Sequence, residues 1–311
     1  MIFKFKDKNS KIYFLSKPFK MTLLSDFDTP ADSLYVVFVC DENLPEFCEV
    51  EIENENETIF NGIIDEQICH CSKEGIFLEI SARSFAAVLL DNEAIPATYF
   101  MPSLQEIFEI HAKDYGIKDY IGQGRCNGNF TISKGTSEWE VIENFVKSVI
   151  GVTPHITSDL ILNAGDISYS NCYKISNTLP DCESFISAKV KNKRYGTVST
   201  VLTKLSNTDS YNSVSENEVA VKKGIKSRRL LNLANVPEWE KEFKINRIFE
   251  KSKLESFVIT VKLPFQKNYR VGDKVEFYDD LLGNYEDLMI WSTKYTITDK
   301  EKTVILELRR S

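Results

Sequence analysis

Leu288-Met289-Ile290-Trp291-Ser292-Thr293-Lys294-Tyr295-Thr296-Ile297-Thr298 is followed by the polar tip Asp299-Lys300-Glu301-Lys302 and then by Thr303-Val304-Ile305-Leu306-Glu307-Leu308-Arg309. Alternation sends Trp291, Tyr295 and Ile297 to one side of the first run. It sends Val304, Leu306 and Leu308 to one side of the second, so each reads as a strand with one buried face. Residues 256–263 and 274–278 carry the same period, and Val271-Gly272-Asp273 and Leu282-Gly283-Asn284 supply the turn residues between runs. Residues 251–311 therefore read as an antiparallel β meander.

The same period governs the front of the chain. Short runs rich in β-branched and aromatic residues predict strands at residues 11–15, 34–40, 49–53, 59–64 and 75–81, a small barrel or sandwich within residues 1–94. Residues 26–33 carry Pro30 among Asp, Ser and Thr and read as a turn. After Ser84, the spacing of Phe85, Val88 and Leu89 predicts a short helix ending at Asn92.

Residues 95–157 change character and read as an α/β insert with two capped helices. Ser103 with Glu106, and Ser137 with Glu140, each have capping-box spacing. Leu104, Ile107, Phe108 and His111 form one apolar stripe, stopped at Gly116. Trp139, Ile142, Val146 and Val149 form another, flanked by Val141 and Phe145 and stopped by Gly151 and Pro154. Period two then returns at residues 159–163, 184–191 and 218–222, and residues 158–250 are expected to form a second β-rich domain. Residues 196–205 fit either a helix or a strand, with β-branching favouring the strand. Residues 207–218, rich in Ser and Asn, read as an exposed loop.

In 311 residues, 42% are hydrophobic and 12% aromatic, with 13 Gly and 9 Pro; that composition belongs to a folded chain and not to a disordered or low-complexity one. The net charge of -8 argues against a protein that grips nucleic acid or anionic membrane. The longest apolar run, residues 34–40, is far short of the roughly 20 residues of a membrane helix. Residues 1–10 lack the apolar core of a secretory signal, so synthesis in the cytoplasm without a signal peptide is expected. Seven cysteines without framework spacing suit reduced thiols, most of them expected as small core residues.

Catalytic constellations are hard to find. Of three histidines, His111 completes an apolar stripe and is expected to be packed, with no carboxylate motif tied to it. Cys69-His70-Cys71 has metal-ligand chemistry, yet on a strand its cysteines and histidine point to opposite faces. Gly122, Gly124 and Gly128 do not have phosphate-loop spacing, and no Walker A or GxSxG motif occurs. Asp65-Glu66 and Asp279-Asp280 read as turn or strand-end residues. No enzyme, cofactor or metal site is expected. Glu49, Glu51, Glu53, Glu55 and Glu57 recur at every second residue, and a strand of that length would line up five carboxylates. They read either as a charge-protected edge strand or as the negative wall of a water-filled channel.

Several phrases carry a resemblance. They are Pro30-Ala31-Asp32-Ser33-Leu34, Phe60-Asn61-Gly62-Ile63-Ile64-Asp65-Glu66, Leu78-Glu79-Ile80-Ser81-Ala82-Arg83-Ser84 and Leu89-Leu90-Asp91-Asn92-Glu93-Ala94-Ile95-Pro96. His111-Ala112-Lys113-Asp114-Tyr115-Gly116-Ile117, Lys134-Gly135-Thr136-Ser137-Glu138-Trp139-Glu140-Val141-Ile142 and the Val271-Gly272-Asp273 meander complete the series. In this order, over nearly the whole chain, they resemble baseplate hub proteins of contractile phage tails and phage-tail-like bacteriocins, the late control D or Mu-type hub family.

The resemblance implies a mainly β fold with two tube-like β-barrel domains, the second completed by the terminal meander, and a small α/β insert. It implies a homotrimeric ring whose barrels imitate six tube subunits, an adaptor between the six-fold tail tube and the three-fold central spike. The implied partners are further copies of the chain, the spike, tube and tape-measure proteins and other baseplate proteins, with no specific nucleic acid and no membrane insertion. The implied place of action is the phage-tail or bacteriocin baseplate, with the five glutamates lining the lumen. Two other classes stay open, a tail-associated peptidoglycan hydrolase and a glycan-binding tail module.

Overall fold

The computed structural model describes residues 1–73, 75–165, 171–207, 210–236 and 238–310. The chain divides into two compact units: residues 1–171, 262–273 and 290–306 form the first, and residues 172–261, 274–289 and 307–311 the second.

The first unit opens with seven strands: β1 (Ile2–Asp7), β2 (Ile12–Ser16), β3 (Lys20–Asp26), β4 (Ser33–Cys40), β5 (Phe47–Asn54), β6 (Glu57–Ser72) and β7 (Gly75–Ser84). Helix α1 (Ala86–Asp91) follows. All the expected front strands and the short helix are present, and β1 and β3 are additional. The strands pair antiparallel in the order β3-β4-β7-β6-β5-β1-β2. One face carries Phe3, Phe5, Met21, Leu23, Val36, Ile52, Phe60, Leu78 and Ile80, each almost wholly removed from solvent. Phe38 meets Phe3 edge-on at 5.0 Å between ring centres, and Phe5 stacks on Phe47 at 5.0 Å. A bulge opposite Lys6 and Asp7 shifts the register, so Phe47 and Val50, three apart, both face inward. Gly62 is forced by close approach, because a Cβ there would lie 2.1 Å from the Arg83 carbonyl oxygen of β7.

The insert contains β8 (Ala97–Phe100), α2 (Leu104–His111), β9 (Asp119–Ile121), β10 (Asn129–Ile132), α3 (Glu138–Phe145), β11 (His155–Ile156) and β12 (Ile161–Asn163). Both capping boxes form: Ser103 accepts from the Glu106 amide, Ser137 from the Glu140 amide, and each glutamate reaches back to its cap. Gly116 and Gly151 take the left-handed conformation that stops the two segments. Leu104, Ile107, Phe108, Trp139, Ile142 and Phe145 pack into one core with Leu162 and Ala164. β8 pairs with β10, and β12 lies between β11 and β9.

The second unit begins with β13 (Cys172–Ser176), β14 (Ser187–Asn192), β15 (Thr200–Lys204), β16 (Ser213–Glu216), α4 (Glu218–Lys222), β17 (Arg228–Asn232) and α5 (Glu238–Ser256). The last strands are β18 (Phe257–Pro264), β19 (Lys274–Asp279), β20 (Gly283–Ile297) and β21 (Lys302–Arg310). β19, β20 and β21 pair consecutively as a meander, whereas β18, expected to begin it, pairs with β21 instead of β19, and residues 251–256 belong to α5. β18, β20 and β21 give residues to both units. β20 pairs with β3 in the first unit and with β19 in the second. Residues 200–204 resolve as a strand. Residues 218–222, expected as a strand, are helical instead, because Asn217 accepts from the Ala220 amide and only Ala220 turns inward between exposed Val219 and Val221. The expected loop at 207–218 contains β16, paired with β15. Its residues 208 and 209 lie outside the described residues.

The architecture is mainly β with a large antiparallel sheet. Among the described residues its path ends at β2 and β14, with no ladder closing it into a barrel. The cysteines depart from expectation. All seven are free thiols and only Cys126 is buried, since Cys48, Cys69 and Cys71 occupy outward or tip positions of β5 and β6. Among the described residues no helix is long and apolar enough to cross a membrane.

Because each cap satisfies helix amides that have no other partner, Ser137→Ala should lower stability by about 1 kcal/mol. The measurement is the urea midpoint, and an unchanged midpoint would mean that α3 does not depend on its box.

Candidate functional site

The glutamate series is the first candidate, and it divides at a turn. β5 ends at Asn54, and Glu55 and Asn56 both take positive φ, 53° and 66°, in the hairpin leading to β6. Glu49, Glu51 and Glu53 thus share one face, whereas Glu55 lies at the turn and Glu57 begins the return strand. The structure does not bring the five carboxylates into a single row.

Nor is the three-carboxylate row a bare negative wall. Register places Lys4 opposite Glu51 and Lys6 opposite Glu49. Lys4 Nζ donates to Glu51 at 2.8 Å and also to Glu53, and Lys6 Nζ donates to Glu49 at 3.0 Å. The hydrogen bond from Lys4 holds the Glu53 carboxyl below its usual range, and the hydrogen bonds to Glu51 and Glu53 raise Lys4. Glu57 accepts from Asn268 at 3.3 Å and pairs with Arg270 at 3.4 Å. This face is wet, ion-paired and low in net charge.

The remaining carboxylate pairs are occupied structurally. Arg83 clamps Asp65 through Nε and Nη2, both at 2.8 Å, and Asp91 through Nη1 and Nη2 at 3.1 and 2.7 Å. One guanidinium so joins β6, β7 and α1, and its hydrogen bonds hold Asp91 below the ordinary carboxylate range. Asp279 accepts from the Leu281 and Leu282 amides in the turn between β19 and β20. His70 stacks on Phe77 and lies 3.4 Å from Glu79. Among the described residues no group of three or more His, Cys, Asp or Glu could hold a metal ion. Gly122 follows close packing, since a Cβ there would lie 2.5 Å from the Ala164 carbonyl oxygen.

Two groupings escaped the sequence. His111 is buried as expected, but it is tied to a carboxylate after all: Nδ1 lies 2.5 Å from Glu138 Oε2, itself buried at the start of α3. Tyr115 donates to Glu138 at 3.0 Å, and the Tyr99 hydroxyl lies 3.3 Å from His111 Nε2. This polar pin fastens α2 to α3.

The second grouping lines a cavity of about 150 Å³ in the first unit, with Asp26, Asp32, Phe27, His155, Arg270 and Tyr295 in its wall. Burial pushes the Asp32 carboxyl up to about 6, against the opposing effect of its hydrogen bond with Ser25. Burial also pushes His155 below its ordinary value, and its Nδ1 has no hydrogen-bond partner among the described residues. Residues 26–32 and 155 are joined only by the fold, and no local spacing announces the pair.

A scaffold with a broad antiparallel sheet, a capped two-helix insert and a terminal meander, end to end, is the fold of phage tail proteins. The tail protein from Neisseria meningitidis matches with a TM-score of 0.80 and 18% identity, over 99% of this chain and 96% of that one. The 43 kDa tail protein of prophage MuSo2 from Shewanella oneidensis also gives 0.80, at 15% identity, over 100% of this chain and 98% of that one. An Escherichia coli component of the type VI secretion system, itself structurally similar to bacteriophage T4 tail proteins gp27 and gp5, gives 0.56 at 8% identity, over 95% and 74%. No protein-family model and no curated protein sequence matches the chain.

Asp32 makes a pH prediction. Its folded value lies above the unfolded one, so its contribution to stability is greatest below about 4 and is lost as pH rises towards about 6. His155, depressed, contributes the opposite slope on acidification. Asp32→Asn should remove the first slope alone and raise stability at pH 7 by about 1 kcal/mol. Urea midpoints from pH 4 to 8 on both proteins measure it, and parallel curves would refute the assignment.

Proposed function

We propose that the chain is a structural baseplate hub of a contractile phage tail or phage-tail-like bacteriocin, acting without catalysis. The observation that carries this reading is the end-to-end match to tail proteins at a TM-score of 0.80, with both chains covered almost completely. The likeness of the type VI component to gp27 and gp5 supports the same reading.

In this proposal the chain is a homotrimeric adaptor. Two β-rich units per chain become six in a trimer, which matches the symmetry of a six-fold tube while leaving a three-fold face for a spike. Each chain supplies two barrel-like copies of a tube subunit, one built on residues 1–94 and one on residues 158–250 with 251–311, of which residues 158–171, 262–273 and 290–306 belong to the first compact unit, and residues 95–157 serve as an insert on the ring. The partners are the tube protein, the central spike, the tape-measure protein and neighbouring baseplate proteins. The chain is made in the bacterial cytoplasm and incorporated into the baseplate.

In the proposed ring this sheet face lines the lumen. Glu49, Glu51 and Glu53 with Lys4 and Lys6 form a hydrated, ion-paired surface, with Glu55 and Glu57 at its hairpin end, and such a surface gives passing cargo little to adhere to.

Light scattering tests the trimer. A mass of about 107 kDa, three times the 35.7 kDa chain, or a three-plus-three complex with the co-expressed spike, is the expected result, and a monomer under both conditions would overturn the hub reading. Replacing Glu49, Glu51 and Glu53 together by Gln should leave that mass unchanged while altering ion conductance through the ring. Loss of trimers in the triple variant would place these residues at an interface and not in a lumen.

A further inference from the structure

In the second unit, β14, β18 and β21 present a charged groove of about 420 Å³, lined by Lys189, Lys191 and Lys193, by Val258 and Thr260, and by Glu255, Glu307 and Arg309. Its charges are unequally satisfied. Lys193 lies 3.7 Å from Glu255, and Arg309 pairs with Glu307 at 2.8 Å. Lys189 and Lys191 are exposed and have no acidic partner among the described residues. Lys189 and Lys191 stand two residues apart on β14, so their side chains leave one face of the strand about 6.7 Å apart, and Lys193 follows just past the strand's end. Among the described residues β14 pairs only with β18 and ends the strand path. Its other edge therefore offers free backbone donors and acceptors alongside that lysine row.

We propose that this edge receives an acidic extended segment of a partner protein, added as a strand to β14 with carboxylates at every second position facing Lys189 and Lys191 and reaching towards Lys193. An extended peptide repeats its side chains at the spacing of the lysines, and directly opposed residues across a strand pair lie about 5 Å apart, within reach of an ion pair. Backbone hydrogen bonds supply a sequence-independent grip, and the lysine row selects for acid.

Two other occupants fit less well. A nucleic-acid strand finds no aromatic platform in the lining and meets Glu255 and Glu307 there. A second copy of this chain could offer its own edge strand β2, but Ile12-Tyr13-Phe14-Leu15-Ser16 carries no acidic side chain to answer the lysines. The proposal makes no use of the hub reading and stands or falls separately from it.

The experiment is fluorescence anisotropy on the full chain, with a labelled peptide of about nine residues alternating Glu with Thr and Val. A peptide of the same composition with its glutamates in one block and an oligothymidylate of matching charge serve as comparisons. The alternating peptide should bind, the block peptide at least about fivefold more weakly, and Lys189→Gln with Lys191→Gln should weaken binding about tenfold or more. Lys300→Gln, in the first unit, should leave affinity unchanged, and hydrogen exchange should slow at β14 amides when the peptide is bound. Equal affinity for the two peptides, no loss in the double variant, or tighter capture of the oligothymidylate through the same lysines would each overturn the proposal. Concentration-dependent self-association lost in the double variant would overturn it in favour of a second copy.

Discussion

One-sided burial of the sheet is the constraint from which the first unit follows. A strand has a side-chain period of two, so slipping it by one residue would exchange its entire buried set for its exposed set. Phe3 and Phe5 on β1 can enter the core only opposite Ile52 and Val50 on β5. The same register, read from the other face, sets Lys4 against Glu51 and Lys6 against Glu49. The ion-paired surface is thus no separate device; it is the outward expression of aromatic packing on the inner side. Where the core needs Phe47 as well as Val50, the strand accommodates both by a bulge beyond Lys6, which leaves the two lysine–glutamate pairings in register.

A second level of order lies in the polar fastenings around that core. Arg83 binds two aspartates distant in sequence, each by two hydrogen bonds, at the point where β7 passes into α1. The pin of His111, Glu138, Tyr99 and Tyr115 does comparable work between α2 and α3, but in a buried setting where removing one member strands another. Directional contacts of this kind distinguish one packing of two amphipathic helices from its near alternatives. Apolar stripes alone would permit several rotations.

Features announced by neighbouring residues were readable from the sequence. The strands of the meander, both capping boxes, the stops at Gly116 and Gly151 and the short helix before Asn92 depend on spacings of a few residues. Failures arose where a local signal met a stronger competitor or where no local signal existed. Val219 and Val221 alternate like a strand, yet Asn217 caps a helix there. The nineteen residues of α5 are so rich in Glu and Lys that no apolar stripe stands out. The glutamate series looked continuous because Glu55-Asn56 is not an obvious turn pair, although both residues adopt the left-handed conformation. The partnership of His111 with Glu138 and the cavity joining Asp32 to His155 exist only once distant segments have met.

The shared strands bear on how such a chain can change. β18, β20 and β21 each begin in one compact unit and finish in the other, and the units exchange the chain repeatedly along its last fifty residues or so. No single cut in the gene would release either unit intact, and no single crossover could exchange one unit for a foreign copy while leaving the other whole. Recombination, the ordinary means by which modular proteins trade parts, is closed to the two halves of this molecule. They must drift together, residue by residue, with novelty confined to the loops, the insert and the exposed strand faces.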